Sequence, residues 1–302
     1  ARAGVKGVIC EKPMAVGMGL ADEMVAACDE SGTKLVISHQ RRFTPGWERA
    51  RELVQGGAIG QVMQVDSKVN AGLLNCGTHA IDGVRFILGD PETQWVMGAV
   101  ERQSERFERD TPIEDGCMAL VHMAGGIQLF IQSDLDSHGA SPGHFFFRGT
   151  EGMVETTETA TQLFNGETGG WQEQDLGVAS DKIDVIGGRA NERQTRELIA
   201  WIEGGLEHRG AGRNARNTVE VIMALLQSAR QHQVVRFPLQ EKGYPLELMV
   251  DEGKLQPTKK GRYDIRGYLN REGVDEAGYA KLRATGMGHH QIMKTLSEDN
   301  KE

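Results

Sequence analysis

An apolar, β-rich run from Val5 to Cys10, closed by Glu11-Lys12-Pro13, constrains this chain most. Such a run reads as a buried parallel strand that stops where the proline ring removes a ladder donor. Lys12 therefore emerges at the strand's carboxyl end, the edge where open α/β sheets bind their ligands. A helix is predicted next over Gly17 to Ser31, with Leu20, Met24 and Cys28 as its apolar stripe, Asp22 and Glu23 in its first turn and Gly32 placed to stop it. Lys34 to Ser38 is a second short buried strand, and two strands bracketing a helix make one right-handed β-α-β unit.

The pattern then changes. Pro45 to Gln55 reads as a linking helix with Trp47, Ala50 and Val54 inward. From Gln61 on, Met63, Val65, Ser67 and Val69 alternate with Val62, Gln64, Asp66 and Lys68, as in a strand with two different faces. Two hairpins are expected: one turns at Gly125-Gly126, the other at Gly149-Thr150-Glu151-Gly152 between Phe145 to Arg148 and Met153 to Thr157. Helices are predicted near Asn75 to Leu88, Asn191 to Gly204 and Asn217 to Gln231. Residues 242–302 are polar, with short helices near Glu276 to Arg283 and His289 to Leu296.

Composition removes several classes of function. The 39 glycines are scattered, against 8 prolines, so they mark tight turns rather than a flexible linker. A net charge of −9 argues against nucleic acid or an anionic membrane as the main partner. No stretch approaches the ~18 consecutive apolar residues of a membrane span. Cys10, Cys28, Cys76 and Cys117 contain no C-x-x-C pair, which points to a reducing cytoplasm rather than a disulfide scaffold. Asp134, Asp136 and His138 could converge on one strand face, but no matching ligand cluster follows, and no metal is expected.

Five fragments, in order, carry a family resemblance. Ala3 to Pro13 is similar to a signature ending in c-E-K-P; His39-Gln40-Arg41-Arg42-Phe43-x-Pro45 follows the second strand; Gly56-Gly57-Ala58-Ile59-Gly60 is similar to s-G-x-I-G. Asn75-x-Gly77-x-His79-x-x-Asp82 is similar to D-x-G-x-H-x-x-D, and Gly149 to Gly152 to a G-T-E-G hairpin. Together they resemble the Gfo/Idh/MocA family of NAD(P)-dependent oxidoreductases over residues 1–240. The resemblance implies an α/β fold: a partial Rossmann-type parallel sheet, then an α+β domain with a large, mostly antiparallel sheet. Residues 1–45 would be the residual part of the dinucleotide-binding domain, 46–241 the α+β substrate and oligomerisation domain, and 242–302 a polar C-terminal extension. The glycine fingerprint G-x-G-x-x-G is expected to lie outside this chain, which opens on Ala1. Gly17-Met18-Gly19 lacks the third glycine and follows the strand that carries the lysine, so it reads as a helix start. Weak cofactor affinity is the expectation for the chain as it stands.

Hydride transfer from an alcohol needs a base for the hydroxyl proton and a group that stabilises developing charge. Local residues alone leave Lys12 open as a surface lysine paired with Glu11, and His79 as a capping or packing residue. The resemblance implies Lys12, His79 and Asn75 as catalytic and substrate-binding residues, with Asp82 close to His79 to fix its tautomer. It places Glu11, Lys12, Pro13 and Arg42 on the cofactor side, with a cis Lys12-Pro13 bond; Arg41 and Arg42 otherwise read as a solvated basic pair. His144 and Arg148 are candidates to face substrate. Asn75 stands where the family pattern has Asp, so the site holds an amide in place of a carboxylate. The implied function is an oxidoreductase using NAD or NADP on a sugar, polyol or related carbonyl compound, assembled as a homodimer or homotetramer through the second-domain sheet. The alternatives are an NAD-dependent glycoside hydrolase of the same fold and a noncatalytic sugar-binding or regulatory protein.

Overall fold

The β-α-β unit expected at the start of the chain is present. In this computed structural model, which describes residues 1–135, 143–179, 182–183, 188–269, 274–287 and 289–299, β1 (Gly7–Cys10) and β2 (Lys34–Ile37) pair in parallel, joined through α1 (Met18–Ser31). Gly32 ends α1 at φ 70, a left-handed cap that favours glycine. The inward stripe differs from expectation: Ala21 and Cys28 are buried, whereas Leu20 is 54% exposed. The helix begins after Gly17 and its amino end is held by another segment, Gly19 N donating to the Lys242 carbonyl at 2.9 Å. Asp22 lies beyond the first turn and pairs with Arg216 and Lys242 at 2.8 and 2.7 Å.

The chain continues through α2 (Pro45–Gln55), β3 (Val62–Val69), a π-helical turn over Leu73–Gly77, α3 (Thr78–Leu88), β4 (Thr93–Glu101), β5 (Ser104–Glu108) and β6 (Thr111–Pro112). β7 (Gly116–Met123), β8 (Gln128–Ser133), β9 (Phe145–Gly149), β10 (Gly152–Thr156), β11 (Thr161–Asn165) and β12 (Gln172–Glu173) follow. Then come α4 (Gly188–Ile202), α5 (Gly212–Gln231), β13 (Val235–Arg236), α6 (Pro245–Asp251), β14 (Lys259–Asp264), α7 (Glu276–Ala284) and α8 (His289–Asp299).

Residues 1–101 and 114–255 form one compact unit, built on a nine-stranded sheet of order β12-β11-β10-β9-β3-β8-β7-β4-β13. Every neighbouring pair is antiparallel except β3 and β8, which run in parallel with Val65 opposite Leu129. Both predicted hairpins are there, β7 to β8 and β9 to β10. The alternation read along β3 breaks once. Its register shifts between Val62 and Gln64, and the bulge leaves Val62 buried and Met63 51% exposed.

One face of this sheet is core. Val65, Leu129, Ile131, Phe145, Phe147 and Val154 are almost completely buried, and each such side chain contributes ~1.5–3 kcal/mol relative to exposure. Trp47 of α2 packs its ring 5.2 Å from that of Phe145. Gly83 lets α3 lie equally close, since a Cβ there would come within 2.6 Å of Trp47 and 2.9 Å of Phe145. The opposite face carries Met97, Met118 and Phe130, all exposed.

Residues 102–113 and 256–302 form a second compact unit. β14 pairs in parallel with β5, and β5 antiparallel with β6. Asp264 accepts the backbone N–H groups of Arg109 and Asp110 at 3.1 and 2.9 Å, closing a turn in which both residues have positive φ. The two tail helices read from the sequence are α7 and α8, and Asp275 caps α7 by accepting from Ala277 N. Among the described residues, no helix is long and apolar enough to cross a membrane.

Candidate active site

β1 delivers Lys12 to the carboxyl edge of the parallel pair, and the lysine folds over onto Asn75. Its ammonium donates to the main-chain carbonyl of Asn75 at 2.8 Å and to Oδ1 at 3.0 Å. Glu11 is exposed beside it, Pro13 is half-buried, and the Lys12-Pro13 peptide is cis.

Asn75 is buried in the middle of the π-helical turn, a rare conformation that often marks functional sites. The approach to that turn is fixed by two carboxylates. Asp134 accepts from Ala71 N and Gly72 N, both at 2.8 Å, and Glu114 accepts from Leu73 N at 2.6 Å. Three consecutive backbone donors, running into the first residue of the turn, are thereby committed, which fixes where Asn75 can sit.

His79 occupies the first turn of α3 and is buried, one turn beyond Asn75. Its ring meets that of His39, at the end of β2, with centroids 5.7 Å apart and planes at 78°. His39 Nε2 lies 3.0 Å from Thr78 Oγ1, and its Nδ1 3.3 Å from Asp82 Oδ1. Burial, joined by the nearby positive charges of Arg42 and Lys12, holds the pKa of His39 down to about 4 even though Asp82 opposes the shift. The ring is therefore neutral near pH 7.

Two expectations are corrected here. Asp82 does not turn to His79; its carboxylate takes Arg42 Nε and Nη2, each at 2.7 Å, and faces His39. Burial would raise its pKa, but Arg42 and His39 hold it below the usual carboxylate value. Arg42, expected on the cofactor side, has no exposed surface. It also donates to Asp90 at 3.0 and 2.9 Å and to the Arg209 carbonyl at 2.7 Å. A buried guanidinium needs this compensation, and meeting it leaves the group nothing to offer a cofactor. His144 and Arg148 likewise do not reach Lys12. They alternate with buried Phe145 and Phe147 and so lie on the open face of the sheet, where His144 pairs with Glu155 at 2.8 Å and Arg148 with Asp66.

For a nicotinamide nucleotide, the edge residues fit the reactive end: a half-buried ammonium and a fixed amide supply donors beside two imidazoles. The glycines at the start of α1 fit no phosphate, because Gly19 N is spent on the Lys242 carbonyl and a Cβ at Gly17 would sit 3.0 Å from the same oxygen. Among the described residues, no group of three or more acids, histidines or cysteines could hold a metal; Asp136 and His138 lie outside the described residues. His39 was legible in principle, since it follows the second strand at the same edge that singled out Lys12. Nothing in the sequence tied Glu114 or Asp134 to residues 71–73, because only the fold brings them together.

The fold is that of two-part α/β oxidoreductases. Levoglucosan dehydrogenase in complex with NADH and levoglucosan superposes with a TM-score of 0.66 over 79% of this chain and 75% of its own, at 20% identity. The chain matches the GFO/IDH/MocA C-terminal domain over residues 69–155. It is 28% identical over 171 residues to the D-xylose 1-dehydrogenase (NADP+) of Haloarcula marismortui, 49% of this chain and 46% of that protein. It is 27% identical over 169 residues to the 2,7-anhydro-N-acetylneuraminate hydratase of Mediterraneibacter gnavus, 49% of this chain and 44% of that one. The chain thus spans about half the length of these curated relatives.

Proposed function

We propose that this chain carries the substrate side of an oxidoreductase that moves hydride between NAD or NADP and a sugar, polyol or related carbonyl compound. The contact of Lys12 with Asn75, one turn from His79, carries the reading. In it Lys12 orients the substrate hydroxyl and stabilises the oxygen as its proton leaves, and His79 accepts that proton. Asn75 holds the ammonium in place without adding charge. The nicotinamide, when bound, supplies the hydride acceptor or donor, with Glu11, Lys12 and Pro13 beside it. Residues 1–45 serve the cofactor side, 46–241 the substrate side, and 242–302 are accessory.

The likeness to the D-xylose dehydrogenase and to levoglucosan dehydrogenase supports a sugar-like substrate. The likeness to a hydratase favours a second reading, net addition or elimination of water with no net change in the cofactor. Two further points belong to the same reading. The open, partly apolar sheet face fits a second copy of the chain as a homodimer or homotetramer, and the four free cysteines fit the cytoplasm. The test is turnover with NAD and NADP across a panel of aldoses, polyols and anhydrosugars. Net NADH or NADPH production that vanishes in Lys12→Met and His79→Gln is the expected result. Substrate conversion with no net reduced cofactor selects the second reading, and binding without turnover by either measure rejects both.

A further inference from the structure

We propose that the cleft beside Arg85, in the last turn of α3, is a binding site for a small monocarboxylate, held on the edge of the guanidinium that carries Nε and Nη2. The site draws on the end of α3, the start of β4 and the amino half of α5. It does not depend on the roles given to Lys12 and His79.

Arg85 is 1% exposed, yet among the described residues it makes one hydrogen bond, Nη1 donating to the Pro91 carbonyl at 2.9 Å, and no ion pair. Its Nε is buried with no partner. The carboxylates whose charge reaches it are already taken, Asp82 and Asp90 by Arg42, and Glu220 by Arg216 and by Leu239 N at 2.9 Å. Burial lowers the pKa of Arg85 and the charge of Arg42 adds to the shift, but an arginine keeps its proton in proteins. A buried cation whose side-on edge is unused is costly unless an anion meets it. Arg42 shows the geometry, its Nε and Nη2 each 2.7 Å from an oxygen of Asp82. Those are the two nitrogens that Arg85 has left over.

The cleft has a volume of about 310 Å³ and is built for a short ligand. Thr93 brings to it a second polar atom that is buried without a partner, its Oγ1, and the exposed amide of Asn217 also lines it. Phe237, half-buried, supplies an apolar wall for a hydrocarbon body. Glu92 and Glu220 line the cleft as well, so a doubly charged phosphate would face two carboxylates. A monocarboxylate carries a single charge, confines it to the end that meets Arg85, and matches the planar fork.

The test uses the whole chain and follows the Nε–H signal of Arg85 by proton–nitrogen correlation, assigned through its own Cδ. Acetate, butyrate and inorganic phosphate are titrated in turn, with chloride holding the ionic strength constant. The expected result is a shift of that signal, and of the Thr93 amide, that saturates below about 50 mM carboxylate. Butyrate should bind more tightly than acetate, because Phe237 covers its chain. Thr93→Val and Asn217→Ala should each weaken binding by roughly 2–10-fold, the worth of one hydrogen bond. An Nε–H signal that ignores both carboxylates overturns the proposal and leaves Arg85 balanced by the carbonyls at the end of α3. A response to phosphate at lower concentration than to either carboxylate overturns the ligand class. An unchanged midpoint in both variants places the carboxylate outside the cleft, which overturns the site. Since the readout needs no turnover, failure of the proposed hydride transfer leaves this result untouched, and failure here leaves the Lys12 site untouched.

Discussion

One ammonium, that of Lys12, rests on two oxygens of a single residue 63 positions away, the carbonyl and Oδ1 of Asn75. The main-chain half of the contact is independent of side-chain identity, and the amide half is not. Asn75→Ala therefore keeps one acceptor and is expected to lower kcat/KM by roughly 10–100-fold, the worth of one hydrogen bond to a charged group. Lys12→Met removes the charge itself and should cost roughly 10²–10⁴-fold. Equal losses in the two variants would show that the side-chain contact alone places the lysine.

Arg42 is the electrostatic centre of the fold rather than of the site. Its guanidinium joins Asp82 on α3 to Asp90 after it, with all three groups mostly or wholly out of water. Arg42→Met strands two carboxylates and is expected to destabilise the protein by about 3–5 kcal/mol. Arg42→Lys should recover only part, because a point charge cannot form the two-pronged contact with Asp82. Urea unfolding measures both, and a midpoint unchanged in Arg42→Met would contradict this account.

Much of the fold follows from local pattern, and the residues where reading failed show why. Lys12 was legible because a strand edge followed by proline is a local signal. The stripe Trp47, Ala50 and Val54 was legible because α2 buries one face. β4 was not, because its run Thr93–Glu101 mixes apolar residues on both faces, with Met97 exposed and Val96 buried. The parallel pairing of β3 with β8 is a topological fact with no local trace. In the site, the spacing of Asn75 and His79 was readable, while the partner of Asp82 was not. A carboxylate three residues after a histidine could serve it on an ideal helix. The nearby buried arginine, which only the fold reveals, takes that carboxylate instead.

The depressed pKa of His39 makes stability depend on pH in a defined window. The folded protein binds that proton only near pH 4, whereas the unfolded chain binds it near the usual 6.5. Between those values the unfolded state carries more protons, so stability rises with pH and is lost as pH falls. The loss from this one group is on the order of 3 kcal/mol over the window. Asp82, whose carboxyl is held below its usual value, adds a further loss at still lower pH. Unfolding free energies measured from pH 7 to pH 4 should show this slope, and His39→Gln should flatten it. An equally steep profile in the variant would assign the effect elsewhere.

Gly83 ties the sheet to the site, because α3 carries His79 and Asp82 as well as this glycine. A methyl group at Gly83 would press on the rings of Trp47 and Phe145, neither of which has free space to yield. Gly83→Ala is expected to cost about 1–3 kcal/mol through overpacking. It should also lower kcat/KM, since relief requires α3 to move off the sheet and carry His79 with it. Crystallography of the variant would check the displacement. A stable variant with α3 unmoved would show that the core gives way without reaching the site.

The open face of the large sheet offers a test of assembly. Met97, Leu120 and Phe130 stand in register across β4, β7 and β8, forming an apolar row with Met118 beside it. A two-fold dimer through this face would bury each row against its copy, and a stable interface of that kind covers ~800 Å² per partner. Phe130→Glu would then place a carboxylate from each subunit in a self-facing patch, directly opposite Asp66, whose partner Arg148 is already engaged, and the dimer should dissociate. The monomer fold should hardly notice, because Phe130 is 36% exposed and exposed substitutions usually change stability by about 0.5 kcal/mol or less. Sedimentation velocity at micromolar concentration separates the outcomes. The expected result is an unsubstituted protein at the mass of a dimer or tetramer and a variant at the mass of one chain with the same far-UV circular dichroism, its thermal midpoint lowered only by the loss of association; an unsubstituted protein that sediments as a single chain rules out this face as a subunit interface.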